Sequence, residues 1–166
     1  MGKRLSTFFV AAAVAMALAG VALATPPSGI VSATILARAG FVDPVDLMLK
    51  VRGDHTEVIH VREAQDTVMQ QIVLGPGGHT GWHSHPGPVV VLVKTGELTL
   101  YDGEDPTCTG RTYSSEQAFV DRGQGHVHIA RNLSVIENTE LWVTYFDVPV
   151  GSGPRLDAAD PGNCDF

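Results

Sequence analysis

From residue 45 to residue 150 short apolar runs alternate with turns. A short run of Val, Ile, Leu and aromatic residues is followed by a turn rich in Gly, Pro, Asp or charged residues. Val89-Val-Val-Leu-Val93 runs into Lys94-Thr95-Gly96-Glu97 and then into Leu98-Thr-Leu-Tyr101, and Ala118-Phe119-Val120 runs into Asp121-Arg122-Gly123-Gln124-Gly125. Such runs are too short for globular helices and lack the i, i+3, i+4 recurrence that a helix face needs. The 18 glycines and 10 prolines among 166 residues supply the interruptions. The spacing predicts strands at 45–51, 56–61, 66–74, 89–93, 98–101, 118–120, 126–131 and 141–148. The fold class is therefore all-β, a sandwich or barrel in one domain without internal repeats.

The ends are organised differently. Met1-Gly2-Lys3-Arg4 is basic, Leu5 to Leu23 is apolar, and Ala22-Leu23-Ala24 is a small-x-small site. This is the layout of a secretory signal peptide over 1–24, cut after Ala24. Residues 25–44 are expected as an N-terminal linker or extension, with Pro26-Pro27-Ser28-Gly29 leading from the signal and Asp43-Pro44 as a break. The barrel is expected over 45–150. A turn-like tail follows over 151–166, with one helical turn near 156–160. The expected location is secreted or periplasmic, with no stable membrane insertion once the signal is cut.

Charge narrows the partners. The precursor has 11 Lys and Arg against 18 Asp and Glu. Lys3 and Arg4 leave with the signal, so the mature chain has 9 against 18, a net charge of −9. It repels nucleic acid, and a small molecule is the expected ligand. Cys108 and Cys164 are the two cysteines. In an exported chain an even pair suggests one disulfide, tethering the tail to a mid-chain loop. Two free thiols are the other reading.

Seven histidines are present, and five fall in two clusters, His79-His83-His85 and His126-His128. In an extended chain residues two apart share a face, about 6.5–7 Å apart, so His83 and His85 converge. His128, on a later strand after a glycine turn, is the natural third ligand, and His126 shares its parity. Imidazoles suit a divalent transition metal, Fe, Zn, Ni, Mn or Cu, and three protein ligands leave positions open for chemistry. His126 and His79 are the looser members, as an additional ligand, a second layer around the site or plain loop residues. His55 and His60 read as ordinary surface or core histidines. Of Gln70 and Gln71, one must alternate inward and needs a hydrogen-bond partner there. No GxSxG, phosphate-loop or dinucleotide-binding glycine pattern is present.

Gly78, His83-Ser84-His85 and Gly96, followed by Gly123, Gly125, His128 and Asn132, resemble the two motifs of the cupin superfamily, in the form of a small single-domain (monocupin) exported protein. The likeness runs over about 67–147. It implies a cupin-type jelly-roll β-barrel with a metal held inside by His83, His85 and His128. It also places a glutamate at position 89, where this chain has Val89, and a proline where it has Gly123. Val89 and Val91 are then expected to line an apolar pocket, with Val93 beside them in the floor and Trp82, Phe119 and Tyr145 toward the mouth. Ordinary core packing is the competing reading for those aromatics. Two functions stay open. One is a mononuclear three-histidine metalloenzyme, dioxygenase-like or an isomerase or lyase, acting on a small oxygen-rich molecule. The other is a non-catalytic metal- or small-ligand-binding module. Cupins often form homodimers, which apolar edge strands such as 141–148 would allow.

Overall fold

The computed structural model describes residues 24–53 and 56–166. The signal peptide assigned to 1–24 lies outside the described residues except for Ala24, and so does His55. Twelve strands follow one another: β1 (Ser28–Ala39), β2 (Leu47–Arg52), β3 (Thr56–Val61), β4 (Asp66–His79), β5 (His83–Ser84), β6 (Val89–Thr95), β7 (Glu97–Asp102), β8 (Arg111–Ser114), β9 (Ala118–Asp121), β10 (His128–Arg131), β11 (Thr139–Val148) and β12 (Leu156–Asp157). None of the described residues is helical.

The pairing defines the architecture. β4, β11, β6 and β9 make one antiparallel sheet in that order. β5, β10, β7 and β8 make the second. Eight consecutive strands distributed in this way over two sheets form a jelly roll. A bridge between Arg131 and His79 joins the sheets at one corner, so the barrel is nearly closed. This is the cupin-type jelly-roll barrel that the motifs implied. β1 extends the first sheet along β4, β12 extends the second along β5, and β2 with β3 forms a separate hairpin.

Alternation explains which residues go inside. In β6, Val89, Val91 and Val93 are buried while Leu92 is exposed; in β11, Leu141, Val143 and Tyr145 are buried while Trp142 is exposed. The inward sets meet Val68, Leu74, Leu98, Phe119 and Ala130 in one core. The turn between β6 and β7 depends on Gly96, whose φ of 74° favours glycine. Gly123 has a φ of 61°, and a Cβ there would overlap the Gly87 carbonyl, so the backbones of two loops touch at the metal-motif end of the barrel. Asn132 is fully buried, and its amide donates to the carbonyls of Gly75 (2.9 Å) and Glu137 (2.7 Å). The asparagine of the second motif therefore ties the chain just after β10 to β4 and to the segment leading into β11.

Several expectations change. Residues 28–39, expected within a linker, form a twelve-residue strand paired with β4. Arg38 explains part of this: it reaches Asp66 at 2.6 Å and the carbonyls of Ser152 and Pro149. The helical turn near 156–160 is replaced by β12, which pairs Leu156 with Ser84 and Asp157 with His83. Strand 141–148 is not an edge, because β11 lies between β4 and β6. A disulfide joins Cys108 to Cys164 with their Cα atoms 5.3 Å apart.

Candidate metal centre

His83 and His128 are directly paired across β5 and β10. Residues opposite one another on antiparallel strands point to the same face, and this register brings the two histidines together. His85 follows two residues on, ahead of the Pro86-Gly87 turn. The ring centroids are 4.4 Å apart for His83 and His128, 4.8 Å for His83 and His85, and 5.2 Å for His85 and His128. One ring nitrogen from each lies within 4.8 Å of the other two. All three side chains are buried.

The outer ring nitrogens are held in place. His83 Nδ1 is 2.9 Å from the Gly81 carbonyl, and His85 Nδ1 is 2.8 Å from the Pro154 carbonyl. A carbonyl only accepts, so both Nδ1 atoms carry the proton and both Nε2 atoms keep a lone pair. His128 Nδ1 faces Asp121 Oδ2 at 2.9 Å. That contact is close in distance but is not an aligned hydrogen bond.

Electrostatics keep the first two rings neutral. Burial pushes the His83 pKa well below its usual value, and the neighbouring His128, His85 and Arg155 charges push it the same way. Burial likewise lowers His85 to about 4, with His128 and Arg155 adding to the effect and Asp121 and the Pro154 carbonyl opposing it. Asp121 behaves differently. Burial alone would raise its pKa, but His126, His128 and the Gly123 N–H, donating at 2.5 Å, together hold the carboxyl well below the usual range. A buried, ionised carboxylate thus stands behind the third imidazole.

The other residues singled out from the sequence fall as follows. Val89, Val91, Phe119 and Tyr145 line a cavity of about 40 Å³ together with His83, His85, His128 and Asp121. Trp82 is outside it. It lies just ahead of β5 and packs with Ile129 and Cys164 in a second cluster. Gln70 accepts a hydrogen bond from the Tyr145 hydroxyl at 3.1 Å, whereas Gln71 points outward to Glu140. His126 does not join the three rings. Residues 126 and 127 precede β10, and the positive φ angles of Gln124 and Gly125 turn the chain there. His126 therefore lies between Asp102 (3.0 Å) and Asp121 (3.4 Å), whose charges raise its pKa against the effect of burial. His79 is also apart, its Nδ1 accepting from the Gly81 N–H at 3.1 Å. His60 is exposed on β3.

Asp121, Pro154 and Arg155 were not legible as site residues. Asp121 reads as the start of a turn, and Pro154-Arg155 sits in a tail with no periodicity. Only the fold brings that tail against His85. A second cavity of about 290 Å³ is lined by His83, His85, Gln70, Tyr145, Pro154 and Arg155, with apolar side chains from β1.

No protein-family model matches the chain, and no curated protein matches it in sequence. Similarities to solved structures are partial. The DMSP lyase DddQ from Ruegeria pomeroyi is similar over 54% of this chain and 42% of its own, with 16% identity and a TM-score of 0.44. The polyketide cyclase RemF from Streptomyces resistomycificus is similar over 57% and 64%, with 17% identity and a TM-score of 0.45. A cupin-like protein from Thermotoga maritima is similar over 57% and 65%, with 21% identity and a TM-score of 0.44. The matched region spans less than two thirds of each of these three chains.

Proposed function

We propose that this chain is an exported member of the cupin superfamily that holds one divalent transition metal on His83, His85 and His128. In this reading it acts on a small oxygen-rich molecule as a mononuclear metalloenzyme of the dioxygenase or the isomerase and lyase kind. The observation that carries the reading is what stands behind the outer nitrogens, a carbonyl hydrogen bond for His83 and for His85 and a close carboxylate for His128. Gly81, Pro154 and Asp121 occupy the Nδ1 side of three buried rings, which is the arrangement that orients metal-ligating histidines. The donor set of three imidazoles suits Fe, Zn, Ni, Mn or Cu.

When bound, such an ion supplies Lewis acidity at a site with open positions. The chain's own residues do the remaining work. His83 and His85 stay neutral and keep their lone pairs available. Asp121 places a negative charge behind His128, which matters because Val89 stands where the superfamily's glutamate is expected. Tyr145 holds its phenolic proton because burial raises its pKa, and it donates to Gln70. Val89, Val91, Val143 and Phe119 give the inner cavity apolar walls beside the three rings. Export is supported by the basic-apolar start and by the Cys108–Cys164 bridge, which suits an oxidising compartment. A homodimer would use β1, which pairs on one side with β4 and exposes Val31, Ile35 and Leu36.

The second reading, a non-catalytic metal- or ligand-binding barrel, has its own observation: the space directly at the three rings is only about 40 Å³, room for one or two waters. Elemental analysis of protein purified from its own host tests the proposal. About one transition metal per chain, lost in His83→Ala, is expected. Metal-free protein, or full metal content in the variant, contradicts it. Turnover of small acids and phenols by the loaded protein separates the two readings.

A further inference from the structure

Arg155 is an unusual lining residue for a cavity this apolar. Its Nε donates to Asp157 Oδ1 at 2.6 Å, and the Asp157 side chain is 62% exposed. Its Nη2 is buried and has no hydrogen-bond partner among the described residues. Buried polar atoms are normally paired, and a guanidinium fork is shaped to take a carboxylate through two parallel N–H groups. The Arg155 side chain as a whole is 29% exposed, with Nε engaged by Asp157 and Nη2 left unpaired.

The surroundings agree in sign. The cavity of about 290 Å³ is lined by no Asp or Glu among the described residues. Its walls are Ile30, Ala33, Ile72 and two prolines, and its polar groups are Gln70, Tyr145, Thr80, His83, His85 and Arg155. Arg155 lines this cavity together with His83, His85 and Tyr145, so it lies close to the imidazole cluster. A cation beside neutral imidazoles in an apolar chamber attracts an anion with an apolar body. The volume suits a ligand of about ten non-hydrogen atoms. We propose that Arg155 is the anchor of a monocarboxylate subsite, so that the ligand class of this barrel is a small carboxylic acid with an apolar body, its carboxylate on Arg155 and its remainder against His83 and His85. That the anchored molecule is a substrate rests on the metal-centre reading above; the subsite itself does not.

The test is an NMR titration of the purified protein with benzoate and, in parallel, with benzamide, which has the same shape without the charge. Both are run on EDTA-stripped protein and again after Zn(II) loading. In stripped protein benzoate binds about tenfold more tightly than benzamide or better. Arg155→Gln abolishes the preference, and Arg155→Lys retains part of it. Asp157→Asn removes the competing carboxylate while keeping Arg155, and it strengthens benzoate binding. Equal affinity for acid and amide in the unaltered protein, a preference surviving Arg155→Gln, or weaker benzoate binding in Asp157→Asn overturns the proposal. An Arg155-dependent preference in a protein that takes up no Zn(II) upholds the subsite and refutes the metal reading. Zn(II) uptake without any acid preference does the reverse.

Discussion

Asp121 Oδ2 lies 2.9 Å from His128 Nδ1, and the same oxygen lies 3.4 Å from His126 Nδ1. One buried carboxylate therefore stands behind a candidate ligand and is itself backed by a histidine that reaches Asp102. In this chain the negative charge at the three-histidine cluster comes from behind His128 rather than from position 89, which is Val89.

Asp121→Asn keeps an oxygen for the Gly123 N–H but loses the charge. Removal of a carboxylate that orients a ligating histidine costs about 10–100-fold in metal affinity. Competition titration against a coloured chelator is expected to show that loss, with circular dichroism of the metal-free variant unchanged.

Val89→Glu places a carboxylate at the wall of the inner cavity, where Val89 is fully buried. Without metal the new group is a desolvated acid, and the apo protein should lose about 2–4 kcal/mol. With metal the affinity should rise above that of the unaltered chain. Urea unfolding with and without Zn(II) reads both signs, and a variant weaker in both states contradicts the account.

The pH dependence follows from the neutral histidines. His85 has a folded pKa of about 4 against 6.5 in the unfolded chain. Between those values the unfolded state binds more protons, so its contribution is intact above pH 6.5 and is lost as pH falls through about 4. His85 alone accounts for about 2 kcal/mol between neutrality and pH 5, and His83 acts in the same direction. His126, with its raised pKa, works against them, contributing stability at low pH that fades as pH rises above its folded value. Denaturant unfolding of EDTA-treated protein at pH 7.5 and pH 5 should show a net loss at the lower pH.

Reduction of the Cys108–Cys164 bridge frees the tail that carries Pro154, whose carbonyl holds His85. The bridge closes a separation of 56 residues, and its loss should cost about 2–4 kcal/mol. Cys164→Ser should lower both the denaturation midpoint and the metal affinity. An unchanged affinity would show that the tail does not position His85.

Much of this site was legible because strand parity and cross-strand pairing act locally. His83 and His85 share a face by alternation, and His128 follows a glycine turn whose meaning is the close approach of Gly123 to Gly87. Parity failed for His126, because the positive φ angles of Gln124 and Gly125 turn the chain just ahead of it. It could require that one of Gln70 and Gln71 face inward but not choose between them, since the register of β4 against β11 makes that choice. The short strands β5, β8 and β12 have no compositional signal, because tertiary pairing alone makes them extended. Long-range contacts of the tail, Pro154 to His85 and Arg155 to the second cavity, leave no trace in local sequence.

The most direct test is X-ray absorption at the metal edge of Zn(II)-loaded protein, with His83→Ala and His128→Ala as partners. The account predicts the multiple-scattering pattern of three imidazoles with a light-atom remainder, and one imidazole fewer in each variant. A shell with one imidazole or none, or an identical spectrum in both variants, would show that the three buried rings are not the ion's ligands.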